Sequence, residues 1–274
     1  MGVPYAEVIG DPIAHSKSPA IHKFWLNKLG IEGDYRAVRV RAEALPAYFQ
    51  SRRFDPDWQG CNVTMPHKTG IAAHLDAMTD AADRAGAVNC VARGGSALVG
   101  SNTDIAGIEA ALCRLLSAMR ACVIGTGGAA RAAVATLSSH GIGDIRIVSR
   151  RPAGGHTLGN TLPPLKFFGP GEIDNAMAGA EIVINATPLG MTGQPAMPHR
   201  TLSALACAHP DAYVLDMVYA PVETPFLRTA RRLGFGWSDG LQLLIGQARE
   251  AFRLLFGVRA PLEHDDELRK LLTS

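Results

Sequence analysis

The segment Gly125-Thr126-Gly127-Gly128-Ala129-Ala130 follows the apolar run ACVIG and opens an alanine-rich stretch, and it fits the pattern G-x-G-x-x-A. In a strand–turn–helix context those positions permit a tight turn, close backbone approach to a pyrophosphate, and a small residue where helix meets strand, with helix-terminal N–H groups left to meet phosphate. The same glycines would also serve a plain tight turn. The next strand, DIRIVS, ends at Ser149-Arg150-Arg151 with no carboxylate. A carboxylate there would accept from the ribose 2′-hydroxyl of NAD, whereas arginine accommodates a 2′-phosphate, so the expected cofactor is NADP.

A second group of polar residues stands at strand exits and before helices in the first hundred residues. Ser16 and Ser18 precede a helix whose first turn carries Pro19, so Ser18 reads as an N-cap and Ser16 as a turn residue if they have no ligand. Asn62, Thr64 and Lys68 lie in the exit NVTMPHK, and Asn89 and the run Asn102-Thr103-Asp104 also end strands. His15, His22 and His67 lack metal-ligand or HExxH spacing, and capping or partly exposed histidine is expected of them; no metal is expected. The five cysteines, Cys61, Cys90, Cys113, Cys122 and Cys207, are scattered without a CxxC pair and read as reduced thiols.

The elements that must position these groups alternate. YAEVIG, DYRAVRV, GCNVT, NCVAR and LVGSN read as strands, with helices over 19–29 and 42–54; from Asp104 come a helix to about Ala118, ACVIG, a helix over 129–140, DIRIVS, EIVINAT and AYVLDMVY. The stretch 151–171, rich in Gly and Pro, reads as a loop, and helix returns after Gly240. This is an α/β pattern. The 274 residues suit one large or two medium domains. A 47% apolar, 19% charged composition without a long apolar run excludes a membrane-spanning helix, and the dispersed charges summing to +2 give no nucleic-acid footprint. The amino terminus carries no secretory pattern, so a cytoplasmic chain with a small-molecule partner is expected, as monomer or homodimer.

In order and spacing, GDPIAHSKSPAIH, NVTMPHK, AGAVN, NTDIAG, GTGGAAR, NATPLGM, DMVYAPVETPFL and DGLQLLIGQ resemble the shikimate dehydrogenase family over essentially the whole chain. The resemblance implies an α/β substrate domain (1–103 and 240–274) and a Rossmann-type NADP-binding domain (104–239), with C-terminal helices returning to the first. It implies NADP-dependent interconversion of 3-dehydroshikimate and shikimate, with quinate or an amino-shikimate analogue as alternative substrates and a non-catalytic NADP or shikimate sensor as the alternative of another class. By resemblance Lys68 and Asp104 form the catalytic pair. Ser16, Ser18 and Tyr219 bond the substrate carboxylate, and Asn62, Thr64, Asn89 and Gln247 hold ring hydroxyls or orient the site. Gly125, Gly127, Gly128, Ala129, Ser149, Arg150, Arg151, Thr187, Met217 and Gly240 are the cofactor positions. The sequence departs from the family pattern at Ser149, Ile105, Gln242 and Leu243, leaving Lys68 and Asp104 in place.

Overall fold

The structure, a computed structural model, describes residues 2–112, 118–150 and 165–273. The chain divides into two compact units, Met1–Thr103 with Gln247–Ser274, and Asp104–Gly246. Arg151, Cys113 and most of the stretch expected to be a loop fall outside the described residues.

In the first unit, β1 (Tyr5–Gly10), β2 (Asp34–Arg39), β3 (Trp58–Val63), β4 (Ala77–Met78), β5 (Cys90–Gly94) and β6 (Ala97–Ser101) form one sheet in the order β2-β1-β3-β5-β6-β4. β1 runs parallel to both β2 and β3, and β3, β5 and β6 alternate in direction. Helices α1 (Ser18–Leu29), α2 (Leu45–Arg53) and α3 (Asp80–Ala85) connect them. β1 is buried at every position, as an interior strand with both faces covered must be. Its one charged side chain, Glu7, accepts from the Tyr48 hydroxyl (2.6 Å), from Arg52 Nε and Nη2 (2.9 and 3.0 Å) and from Trp58 Nε1 (3.1 Å). A buried carboxylate is tolerable because these donors replace its lost hydration.

In the second unit, β7 (Arg120–Ile124), β8 (Asp144–Val148), β9 (Lys166–Phe168), β10 (Ile182–Asn185), β11 (Tyr213–Asp216) and β12 (Gly236–Ser238) lie in the order β12-β11-β10-β7-β8-β9, every neighbouring pair parallel. The helices are α4 (Asp104–Leu112), α5 (Gly128–Ser139), α6 (Ile173–Met177), α7 (His199–Ala204), α8 (Pro225–Arg232) and the start of α9 (Gly240–Phe256). Counted from β7, this is the doubly wound order 3-2-1-4-5-6, in which ligands bind outside the carboxyl ends of the strands where the winding reverses, here between β7 and β10. The apolar strands are fully buried because helices cover both faces, and Ala130, Ala132, Ala133 and Ala135 let α5 lie close to the sheet.

Three expectations change. Residues 166–168, read as loop, form β9 and pair with β8, because three residues suffice to add a strand to an existing edge. The helix expected over 42–54 is a 3₁₀ turn (Ala42–Ala44) followed by α2, with Pro46 in the first turn of α2. The change of unit near the carboxyl end falls at Gln247, inside α9, so residues 240–246 go with the second unit; α10 (Asp265–Thr273) goes with the first.

Candidate active site

In the first unit, the carboxyl ends of the parallel strands β1 and β3 release two loops side by side. Thr64 N–H donates to the Ile9 carbonyl (2.9 Å) and Asp11 N–H to that of Met65 (3.1 Å). One loop carries Ser16 and Ser18. Ser18 is the first residue of α1 and buried; the N-cap position is taken by Lys17, with no side-chain cap bond. The N-cap reading of Ser18 is therefore replaced: Ser16 Oγ accepts from the Ser18 N–H (3.3 Å), a turn in which the first serine holds the backbone of the second. Lys17 Nζ donates to the Leu272 carbonyl near the end of α10, anchoring this loop to the C-terminal helix.

The other loop carries Thr64 and Lys68. Lys68 lies in a 3₁₀ turn (His67–Thr69), and its carbonyl accepts from Val88 N–H at 2.7 Å, which ties the turn to the segment entering β5. His67 is buried and its Nε2 lies 2.7 Å from the Val40 carbonyl, while His22 is fully buried against aromatic rings. The expectation of capping or partly exposed histidines holds for neither; the first is a structural tie and the second a core residue.

Asn62, Asn89 and Gln247 are brought together through Thr103. Asn62 Nδ2 donates to the Asn89 carbonyl (3.2 Å), Asn89 Oδ1 accepts from Thr103 N–H (2.6 Å), and Thr103 Oγ1 donates to Gln247 Oε1 (3.2 Å). All four residues are at least nine-tenths buried. Amides at that depth are retained only with partners, and here the partners are one another. Thr103, which bridges Asn89 to Gln247, belongs to the polar run Asn102-Thr103-Asp104 but takes no site role of its own from the sequence, unlike its neighbour Asp104. Asp104 is buried and opens α4 in the second unit.

In the second unit the carboxyl edge of the sheet is laced across the strand exits. Gly125 N–H donates to Val148 O (2.9 Å), Ala186 N–H to Ile124 O (2.9 Å) and Met217 N–H to Asn185 O (3.0 Å). Gly125 has φ +118°, and a Cβ there would stand 3.0 Å from Ala186 O and 3.1 Å from Thr187 Cγ2, so only glycine fits between the two exits. Gly127 caps α5 without a side-chain bond, and a Cβ on it would meet nothing within 4 Å. Beside this turn, Ser149 Oγ is buried with no hydrogen-bond partner among the described residues, and Arg150 is exposed. An uncapped helix start, open space before it and an orphaned hydroxyl next to an arginine fit the phosphates of a dinucleotide. Gly240, a cofactor position by resemblance, has a packing reason of its own: a Cβ would lie 2.5–2.6 Å from the backbone of Met217 and Val218.

Asp216 organises the rest of this edge. It accepts from Asn185 Nδ2 (2.9 Å), Val218 N–H (3.0 Å) and Thr224 Oγ1 (2.6 Å), while Asn185 Oδ1 accepts from Thr187 Oγ1 (2.7 Å). Burial raises the Asp216 carboxyl and these donors oppose it. Thr187 is thus tied through Asn185 to one fixed carboxylate, and Met217 follows that carboxylate in the chain. A polar residue closing each of two otherwise apolar strands, INAT and LDMV, was the available sign of it. Tyr219 is half-buried, and burial pushes its hydroxyl above the ordinary value, keeping it protonated and able to donate.

Among the described residues no group of three or more His, Cys, Asp or Glu could hold a metal, and no helix is long and apolar enough to cross a membrane.

A model of the shikimate dehydrogenase substrate binding domain matches residues 8–91. The chain is 45% identical to the shikimate dehydrogenase (NADP(+)) of Sphingopyxis alaskensis, covering 99% of this chain and 97% of that one. It is 40% identical to that of Rhodospirillum rubrum, covering 96% and 95%. Among solved structures, the shikimate 5-dehydrogenase of Thermus thermophilus in complex with NADP(H) and shikimate superposes with a TM-score of 0.83 at 32% identity, covering 98% of this chain and 99% of that one. Quinate dehydrogenase from Corynebacterium glutamicum in complex with NAD gives 0.84 at 27%, covering 98% and 99%. With its length matched almost end to end, and its strand-exit polar residues and glycine turn in place, this chain belongs to the shikimate dehydrogenase family.

Proposed function

We propose that the protein is an NADP-dependent dehydrogenase interconverting the ring ketone of 3-dehydroshikimate and the alcohol of shikimate. The observation that carries the reading is the buried lattice of Asn62, Asn89, Thr103 and Gln247, adjoining the turn that bears Lys68. A core has no need of several amides at one edge, whereas a ring bearing several hydroxyls needs fixed donors and acceptors.

When bound, the nicotinamide of NADP supplies or takes up a hydride. The chain's own residues supply the rest. Lys68 donates a proton to the ketone oxygen as its negative charge develops, and withdraws it from the alcohol in reverse. Asp104 orients that lysine and accepts from a hydroxyl. Ser16, Ser18 and Tyr219 donate to the substrate carboxylate; Tyr219, held protonated by burial, does not compete as a base. Thr64, Asn62, Asn89 and Gln247 fix the ring hydroxyls. Gly125, Gly127, Gly128 and Ala129 receive the pyrophosphate, Ser149 and Arg150 the 2′-phosphate, and Thr187, Met217 and Gly240 border the cofactor. The reading includes a cytoplasmic monomer or homodimer with no nucleic-acid or membrane partner.

The test is steady-state turnover with shikimate and with quinate, each against NADP and NAD. The expected result is the largest kcat/KM for shikimate with NADP. A larger value for quinate moves the chain to the alternative substrate, and binding without turnover makes it a sensor.

A further inference from the structure

We propose that Tyr35 is a positioning residue for the substrate: its hydroxyl locks the Asn62 amide in the one orientation that makes Asn62 a hydrogen-bond donor to a ring hydroxyl. The inference rests on the reading of Asn62 as a substrate contact and adds to it a direction and a cause.

Tyr35 lies on β2 and is fully buried, and its hydroxyl donates to Asn62 Oδ1 at 2.6 Å. The two residues are not on adjacent strands. β1 runs between them, with Ala6 opposite Tyr35 and Val8 opposite Asn62, so the tyrosine reaches over the central strand across its smallest side chain. Its ring is clamped by His22, stacked at 4.0 Å with 7° between the planes, and by the cluster of Ala6, Val8, Ile13, Cys90, Ala251 and Leu255.

The orientation of the amide follows from what each neighbour can do. The Asn89 backbone carbonyl can only accept, so the group facing it at 3.2 Å is the Asn62 amino group. The group facing Tyr35 is then the amide oxygen, and Tyr35 must donate to it. Burial holds the Tyr35 hydroxyl well above its ordinary pKa, so it remains a donor at any working pH. With Oδ1 and one N–H committed, Asn62 has one N–H left. A substrate hydroxyl beside it is read as an acceptor and must spend its own hydrogen elsewhere. Without the Tyr35 hydroxyl, Oδ1 is a buried acceptor lacking its donor and the amide is released to turn.

The test measures kcat and KM for shikimate at saturating NADP, and KM for NADP, in Tyr35→Phe, Asn62→Ala, the double variant and Asn62→Asp. Tyr35→Phe removes one oxygen and keeps the stacking, and its fold is checked by thermal melting. It is expected to raise the shikimate KM roughly 5- to 30-fold, leaving kcat within about threefold and the NADP KM unchanged. The double variant is expected to match Asn62→Ala alone, because Tyr35 acts only through that amide. Asn62→Asp keeps an acceptor for Tyr35 but loses the amide donor, so it should lose shikimate affinity as Asn62→Ala does. If Asn62→Ala raises KM and Tyr35→Phe does not, the inference fails while the site reading stands. Additive losses in the double variant, or wild-type KM in Asn62→Asp, also overturn it. An unchanged KM in Asn62→Ala removes Asn62 from the site, and the reading and the inference fall together.

Discussion

The two units hold their polar groups by different means. In the first, amides and hydroxyls at the carboxyl end of the sheet are fixed by other side chains: Tyr35 holds Asn62, Asn62 reaches the Asn89 carbonyl, and Thr103 joins Asn89 to Gln247. In the second, the turn after β7 is backbone, shaped by a glycine whose positive φ and lack of a Cβ bring two strand exits together. Side-chain lattices suit a small ligand distinguished by where its hydroxyls sit, because each amide has a defined donor and acceptor end. A glycine turn suits a phosphate, which every N–H can meet and which needs room rather than direction. Removal of single polar groups should therefore be felt as chemistry or substrate recognition in the first unit and as cofactor choice in the second.

The largest expected effect breaks or keeps that division at its centre. Lys68→Ala should lower kcat by about 10²–10⁴, the range for a positioned acid–base group, with NADP affinity, followed by fluorescence, near that of the unaltered protein. Asp104→Asn should lower kcat as well, and the double variant should lose less than the product of the two, the outcome expected of a proposed catalytic pair; strict additivity would remove Asp104 as the partner of Lys68. Near-normal turnover in Lys68→Ala would place the chemistry elsewhere.

Next in size is an effect confined to the first unit's core. His22 is fully buried, neither ring nitrogen has a hydrogen-bond partner among the described residues, and burial pushes its pKa down to about 3. The unfolded chain, with an ordinary histidine value of about 6.5, binds a proton that the folded chain refuses. Stability is therefore lost as pH falls from about 6.5 toward about 3, by about 1 kcal/mol per pH unit. His22→Phe removes the titrating group and should flatten the fall of Tm with pH over that window. An unaltered slope in His22→Phe would assign the acid sensitivity to other groups.

Parts of this division were legible in the sequence. The glycine turn stands in one contiguous strand–turn–helix, so its context could be read locally, and Asn62 stands at the end of an apolar strand as read; Asn89, read as ending a strand, instead enters β5, and Asp104 opens α4 after β6 has ended. The Tyr35–Asn62 bond was not legible, since it joins residues 27 apart across an intervening strand, and only the order β2-β1-β3 makes them neighbours. Asp216 was hidden for the same reason: its partner Asn185 is 31 residues away on another strand and becomes a neighbour only once β10 and β11 are paired. His22 reads from sequence as a capping or partly exposed histidine because nothing in its spacing reveals the stacking on Tyr35.

A smaller effect sharpens the second unit's side. Arg150→Ala should raise the NADP KM about tenfold, the worth of one charge-assisted bond, while leaving the NAD KM nearly unchanged. An equal loss with both cofactors would mean that Arg150 shapes the turn instead of reading the 2′-phosphate.

The smallest effect compares the units where neither touches a ligand. Asp144 in the second unit meets Arg120 (2.7 Å), Arg146 (2.9 Å) and Lys166 (2.9 Å), and Asp34 in the first meets Lys23 (2.8 Å) and Arg36 (2.7 Å). Burial alone would raise the Asp144 carboxyl, but bonds from Arg146, Lys166 and Arg120 outweigh it and hold it well below the carboxylate range; Lys23, then Arg36, lower Asp34 to about 2. In both cases the folded pKa lies below the unfolded one, so the contribution is complete above about pH 4 and is lost as pH falls through the folded value. The magnitudes stay small because solvent screens partly exposed pairs: about 1 kcal/mol for Asp144, with three cations, and about 0.5 kcal/mol or less for Asp34. Asp144→Asn should therefore lower Tm more than Asp34→Asn at pH 7, and the Asp34→Asn difference from the unaltered protein should close by about pH 2 while that of Asp144→Asn persists to lower pH. Added salt should shrink both. A Tm loss in Asp144→Asn that is the same at high salt and at low would show that the side chain acts there through packing and hydrogen bonding rather than through its charge.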